Sequence, residues 1–307
     1  MTSTAVSVTG LTKRYGHRTV VDHLDIELPS GVVAGFVGPN GAGKTTTMAM
    51  LLGLVRPSAG TGTVLDRPIE HPAAYLPHVG ALIESPAFYP ALSGGRNLEV
   101  QATVAGHDVA QVPSVLEHVG LLERSHDCYR SYSLGMKQRL GIASALLGDP
   151  DLLILDEPAN GLDPEGVREM RTLVGRLAGT GRTVLVSSHD LSELEQVCDW
   201  LVLIDTGRSL YQGPTRELLG GVARGLALTP QRTDHCNPLR ELLVAHGHQV
   251  EEHEHQLVVS VEDGDVSGLA AAVNRLAFAA GIVLVELTPV RSTLEDRYLA
   301  LVRAGAR

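Results

Sequence analysis

A chain of 307 residues with 44% hydrophobic and 20% charged side chains has the composition of a folded globular protein, long enough for one large core plus a smaller appended one. Its formal net charge of −10 excludes a protein that wraps nucleic acid through a broad basic face, because that affinity comes from neutralising phosphates. In chain order, the first thirty residues pattern as antiparallel strands at about 5–9 and 20–28. Short apolar runs at 32–37, 152–155, 183–187 and 201–204 are bounded by Gly, Pro or charge and predict buried strands. Helical patterns over 44–54, 135–147, 164–178 and 190–197 alternate with them, which predicts an α/β fold with a mainly parallel sheet. The Gly-rich stretch LGGVARG at 219–225 interrupts this periodicity and divides residues 1–220 from a smaller α+β domain, 221–307. That second part patterns as strand 226–229, helix 237–245, strands 248–251 and 256–261, helix 267–280, strand 283–288 and helix 293–303, a split βαββαβ unit with a terminal helix.

Cys128, Cys198 and Cys236 are far apart and show no CxxC spacing, which points to a reducing compartment. No apolar run reaches the ~18 residues of a membrane span, and the first residues carry no signal-like pattern. A membrane role therefore requires a partner that supplies the span.

Gly38-Pro39-Asn40-Gly41-Ala42-Gly43-Lys44-Thr45-Thr46 satisfies GxxxxGK[ST] between a strand and a helical pattern, the context a phosphate-binding loop requires. The glycines let the backbone turn tightly and aim N–H groups at phosphate oxygens, and the following helix adds the positive end of its dipole. Lys44 is expected on the β- and γ-phosphates and the Thr45 hydroxyl on Mg²⁺. The apolar strand LLIL ends in Asp156 and Glu157. An aspartate there is placed to hold Mg²⁺, and the adjacent carboxylate to polarise an attacking water.

With these motifs placed, residues 5–220 resemble the nucleotide-binding subunit of ABC (ATP-binding cassette) transporters. The resemblance implies a P-loop NTPase cassette with an N-terminal antiparallel β subdomain, a RecA-like parallel-sheet core and a helical subdomain. It implies that Tyr15, in LTKRYG, stacks on adenine, that Asp163 in NGLDP belongs to a dimer-contacting loop, and that His189 in SSHD contacts the γ-phosphate. Two stretches compete for the family's LSGGQ signature. ALSGGRN carries the letters, but Ser93 lies far ahead of Asp156 in a stretch containing prolines and aromatics; it is expected to act only as a helix N-cap. YSLGMKQRLGIA, shortly before the acidic strand, puts Ser133 and Gly135 where the resemblance places the donors to a second subunit's ATP.

The departures are Leu134 for the first signature glycine, Met136 for the glutamine, and Glu84 where most of the family has a metal-contacting glutamine. Glu84 is still expected as an oxygen ligand of the metal, together with Thr45 and Asp156. GALIE…PAFYP with YSLGMKQRLGIA resembles the subgroup that exports or confers resistance to lantibiotics and bacitracin, although Arg96 falls where that subgroup has a glutamate. Phe88 and Tyr89 form either a permease-docking surface or local packing. The stretch with His246, His248, His253 and His255 is expected to be an exposed acidic edge rather than a metal site.

The resemblance implies an ATPase subunit, with ATP and Mg²⁺, that forms a head-to-tail homodimer with an ATP at each of two sites. Lys44, Glu157 and His189 would carry hydrolysis, and a separate permease would hold the subunit at the cytoplasmic face of the membrane. A soluble nucleotide-dependent regulatory switch without a permease is the alternative.

Overall fold

Strands whose side chains are buried on both faces read as short, mostly apolar runs, and three such runs, Val33–Val37, Leu152–Leu155 and Thr183–Ser188, are buried at every position. They form the centre of the larger sheet in a computed structural model that describes residues 3–84, 87–220, 225–253, 256–261, 265–290 and 293–305. The backbone divides into two compact units, Met1–Thr215 with Tyr298–Arg307, and Arg216–Arg297.

In the first unit the strands are β1 (Thr4–Tyr15), β2 (Arg18–Pro29), β3 (Val33–Val37), β4 (Ala59–Val64), β5 (Arg67–Pro68), β6 (Val79–Leu82), β7 (Leu152–Leu155), β8 (Thr183–Ser188), β9 (Trp200–Asp205) and β10 (Arg208–Pro214). Strands β2-β1-β4-β5 make an antiparallel sheet, and β10-β9-β3-β8-β7-β6 a second one. In the second sheet β9, β3, β8, β7 and β6 run parallel and only the edge strand β10 is antiparallel. Strand β1 runs well past the expected end because Gly10, at φ 63°, takes up a register irregularity and pairing resumes at Leu11. The polar segment LTKRY therefore continues as strand, where its mixed composition hides the period.

The helices are α1 (Lys44–Leu51), α2 (Gly94–Ala105), α3 (Val112–His118), α4 (Leu134–Ala145), α5 (Pro164–Ala178) and α6 (Leu191–Glu195), and α7 (Thr215–Leu219) starts at the boundary and runs in the second unit. Helix α5 shows how they seat. Asp163 caps its start, Pro164 fills the first turn, and Met170, Leu173, Val174 and Leu177 form one buried stripe at helical spacing. Each such side chain contributes about 1.5–3 kcal/mol relative to exposure. A core of Val, Leu, Ile and Phe side chains joins the two sheets, and within it buried Tyr75 donates its hydroxyl to Leu51 O at 2.9 Å.

The second unit contains β11 (Gly225–Pro230), α8 (Cys236–Ala245), β12 (Val250–His253), β13 (Gln256–Ser260), α9 (Val266–Ala279), β14 (Leu284–Val290) and the start of α10 (Leu294–Gly305). Its sheet is antiparallel with order β12-β13-β11-β14, the arrangement of a split βαββαβ unit. Leu226, Leu228, Leu257 and Val259 pack with Leu239, Leu243, Val273 and Ala277 of its two helices. Glu254 and His255 of the histidine-bearing edge lie outside the described residues. Among the described residues no group of three or more His, Cys, Asp or Glu is arranged to hold a metal.

Candidate active site

Parallel strands deliver their C-terminal ends, and the loops after them, to one edge of a sheet. Here β3 leads into the phosphate loop and α1, β7 into Asp156 and Glu157, and β8 into His189, with β3, β8 and β7 adjacent. That adjacency builds a cleft, open to solvent and lined by Arg18, Val20, Pro39, Asn40, Gly41, Gly43, Lys44, Thr45, Thr46, Glu157, Asn160 and His189.

The phosphate loop requires glycine where backbone passes close by. A Cβ on Gly38 would lie 2.4 Å from Ile204 O, and one on Gly43, which has φ 101°, would lie 2.9 Å from Val20 O. Gly38 and buried Ala42 shape the loop rather than line the cleft, and Ala42 O accepts the Gly207 amide. Lys44 Nζ donates to Gly38 O at 2.7 Å and lies 3.1 Å from Glu157 Oε1. The other oxygen, Glu157 Oε2, lies 2.5 Å from His189 Nδ1. One carboxylate therefore joins the loop lysine to the histidine of the neighbouring strand. Glu157 sits at φ 49°, a left-handed conformation that costs a non-glycine residue on the order of 1–3 kcal/mol and is held by its surroundings. Its amide donates to Ser187 Oγ at 2.9 Å, which fixes it over the sheet edge.

Asp156 is 6% exposed and lies just below the cleft. Its Oδ2 accepts the Thr45 hydroxyl at 2.7 Å and its Oδ1 accepts the Ser187 hydroxyl at 2.5 Å. Thr45 and Asp156 thus form a compact set of hard oxygen donors, which suits Mg²⁺ in ligand type. Beyond His189, Asp190 caps α6. The Ser192 hydroxyl beside Asp190, helped by the Ser192 and Glu193 amides, holds its carboxyl below the usual range. Burial, with the Asp190 charge as a smaller contribution, pushes the Glu193 carboxyl up.

Two expected members stand apart from this cleft. Tyr15, at the end of β1, is 51% exposed and does not line it, although its strand partner Arg18 does. Glu84, at φ 60° two residues beyond Leu82 in β6, is exposed and does not line the cleft. Conversely Arg18, Val20 and Asn160 line the cleft without having been picked out by motif. The two-residue turn Gly16–His17, which sets Arg18 opposite Tyr15, was a usable signal for the first of them.

Ser133, Gly135 and Asp163 gather elsewhere, in a second cleft lined also by Leu134, Gly161, Leu162 and Glu165. Two helix starts meet there. Ser133 caps α4 by accepting the Met136 amide at 3.2 Å, and Asp163 caps α5 by accepting the Gly166 amide at 2.8 Å. Ser93 is likewise an N-cap, accepting the Arg96 amide at 3.2 Å, but its helix start is packed into the fold. Phe88 packs edge-on against Tyr129 with ring centroids 5.2 Å apart. Beside it, Tyr89, 63% exposed, borders an open, largely apolar groove with Ala87, Val100 and Val104.

Residues 21–160 match the family model described as ABC transporter, and residues 231–295 match a domain of unknown function. The chain is 39% identical to the bacitracin transport ATP-binding protein BcrA of Bacillus licheniformis, over 99% of each chain. It is also 39% identical to the lantibiotic transport ATP-binding protein SrtF of Streptococcus pyogenes, over 67% of this chain and 90% of that one. A solved ATP-binding subunit of an ABC transporter superposes with a TM-score of 0.62 at 28% identity, covering 70% of this chain and 91% of the other.

Proposed function

This chain belongs to the ATP-binding ATPase subunits of ABC transporters, and on that premise we propose that two copies close head to tail on ATP to drive a separate membrane permease. The proposed cargo is a peptide antibiotic or similar amphipathic compound, exported from the cell. Support for the cargo class comes from the names of the relatives, which transport bacitracin and lantibiotics. Among the described residues no helix is long and apolar enough to cross a membrane. The permease is proposed to supply the span and to hold this subunit at the cytoplasmic face, with the apolar groove beside Phe88 and Tyr89 receiving it.

The observation that carries the catalytic assignment is the bridge from Lys44 through Glu157 to His189, at 3.1 and 2.5 Å. Lys44 is assigned to the terminal phosphates, so phosphate oxygens entering the loop compete with Glu157 for its ammonium. Glu157 is assigned to accept a proton from the attacking water, held in place by His189. The imidazole can also contact the γ-phosphate from the same position. Thr45 and Asp156 would hold Mg²⁺, which when bound supplies charge neutralisation on the β- and γ-phosphates. Ser133, Gly135 and Asp163 do not line this cleft, and a second copy would bring its own set across from it. The two half-sites, each bordered by a helix start, are what motivate the dimer.

The test uses Glu157→Gln protein tagged in its native cell and purified with ATP from solubilised membranes. ATP hydrolysis is expected to fall by about 10²-fold or more. The protein should elute as an ATP-dependent dimer with a multi-spanning partner near stoichiometry. Wild-type turnover removes Glu157 from the base role, and recovery without a membrane protein overturns permease coupling.

A further inference from the structure

The cleft contains one cation outside the group just assigned. Lys44 is offset by Glu157 and also anchored to Gly38 O, and His189 is tied to the same carboxylate. Arg18 is exposed, and among the described residues its guanidinium makes no ion pair or hydrogen bond. A free arginine offers five donors in a planar fork suited to two oxygens of one phosphate.

Its position is set by strand register. Arg18 opens β2 and pairs with Tyr15 across the two-residue turn, so both side chains stand on the same face of the hairpin. Val20, two residues on at a register irregularity of the hairpin, also lines the cleft. The Val20 carbonyl lies 2.9 Å from where a Cβ of Gly43 would be, which seats this strand directly on the phosphate loop. Arg18 therefore enters the cleft from the β1–β2 hairpin, outside the Lys44–Glu157–His189 group. A nucleotide whose terminal phosphate lies at Lys44 and whose base extends toward the β1–β2 turn passes its first phosphate in front of Arg18.

We infer that Arg18 binds the α-phosphate of the nucleotide and holds ATP and ADP alike, whereas Lys44 serves the terminal phosphates. This rests on the cleft being the nucleotide site. Because the Lys44 charge is already shared with Glu157, the guanidinium is the uncompensated charge that meets a polyanion entering the cleft. Its contribution should weaken with rising salt, as expected of an exposed pair.

The experiment measures displacement of a fluorescent ADP analogue from the full-length protein, without Mg²⁺, by ATP, ADP, AMP and adenosine. Arg18→Gln, an exposed and unpaired site at a strand start, should leave the melting temperature unchanged. It should weaken ATP, ADP and AMP each by about 10-fold, the loss of one charge-assisted contact, and leave adenosine unchanged. Arg18→Lys should recover part of the loss. Unchanged binding of all three nucleotides overturns the inference, and so does an equal loss for adenosine, which would move Arg18 to the base or ribose. Lys44→Ala serves as the control on the site itself. If that variant binds ATP normally, the cleft is not the nucleotide site; if it loses ATP while Arg18→Gln does not, only the role of Arg18 fails.

Discussion

Two helix starts in this molecule are nearly the same object and have different surroundings. Ser93 at the head of α2 has φ −70° and ψ 164°; Ser133 at the head of α4 has φ −62° and ψ 164°. Each hydroxyl accepts the amide three residues on at 3.2 Å. Both helices have 12 residues, so their dipoles are comparable. The glycines just after each serine meet different neighbours. Gly94 is buried, and a Cβ there would lie 2.1 Å from the Tyr132 hydroxyl, itself held by donation to Arg124 O at 2.8 Å; one on Gly95 would lie 3.2 Å from Ser125 O. The glycines of SGG thus permit close packing of α2 against the segment leading to α4. At Gly135 the nearest atom to an added Cβ is Leu162 Cδ2 at 3.8 Å, and Ser133 and Gly135 line an open cleft. The same local motif is a packing joint in one place and an accessible set of donors in the other.

Substitutions at matched positions can break this contrast. The largest expected effect is at Gly135→Asp, which puts a carboxylate among the donors proposed to meet the partner's ATP. ATP turnover should fall by about 10²-fold or more, the scale of losing a preorganised oxyanion donor, with circular-dichroism melting close to wild type. Normal turnover would mean that the α4 start is not part of the hydrolytic assembly. Next comes Gly94→Ala, which forces a methyl into the Tyr132 hydroxyl. Chemical denaturation should show a loss of about 1–3 kcal/mol, while turnover per folded molecule stays unchanged. Combining it with Tyr132→Phe should give a double-mutant coupling of at least about 0.5 kcal/mol; strict additivity would remove Tyr132 as the cause. The smallest effects are those of Ser93→Ala and Ser133→Ala. Both should cost about 1 kcal/mol as lost N-caps, but only Ser133→Ala should lower turnover, by about 10-fold. Equal turnover in the two would erase the distinction drawn from their surroundings.

The parts legible in sequence were those with a local cause. Strand β7 was readable because LLIL is apolar at every position, and α5 because Asp163, Pro164 and the stripe from Met170 to Leu177 mark its cap and its face. The second unit was readable for the same reason: alternating Leu and Val in β13 and paired leucines in α8 each face one small core. The lining of the cleft was less so. Arg18 and Val20 reach it from a hairpin that must first fold onto the loop, and Asn160 arrives from beyond Glu157. Tyr15 and Glu84 match the expected motif positions, yet the backbone leaves both outside the cleft lining.

By itself, the order of residues determined where helices begin, which strands are buried, and that a phosphate loop comes after β3. Those properties depend on neighbours within a few positions, through capping, side-chain period and glycine torsions. Only the tertiary structure decided that Glu157 lies between Lys44 and His189, that Arg18 shares their cleft, and that Ser133 faces open space while Ser93 does not. Each of these is a meeting of groups distant along the chain, set by the strand order β3-β8-β7 and by the folding of the β1–β2 hairpin onto the phosphate loop. A local motif can supply donors and charges, but what they face depends on packing among elements that the motif does not contain.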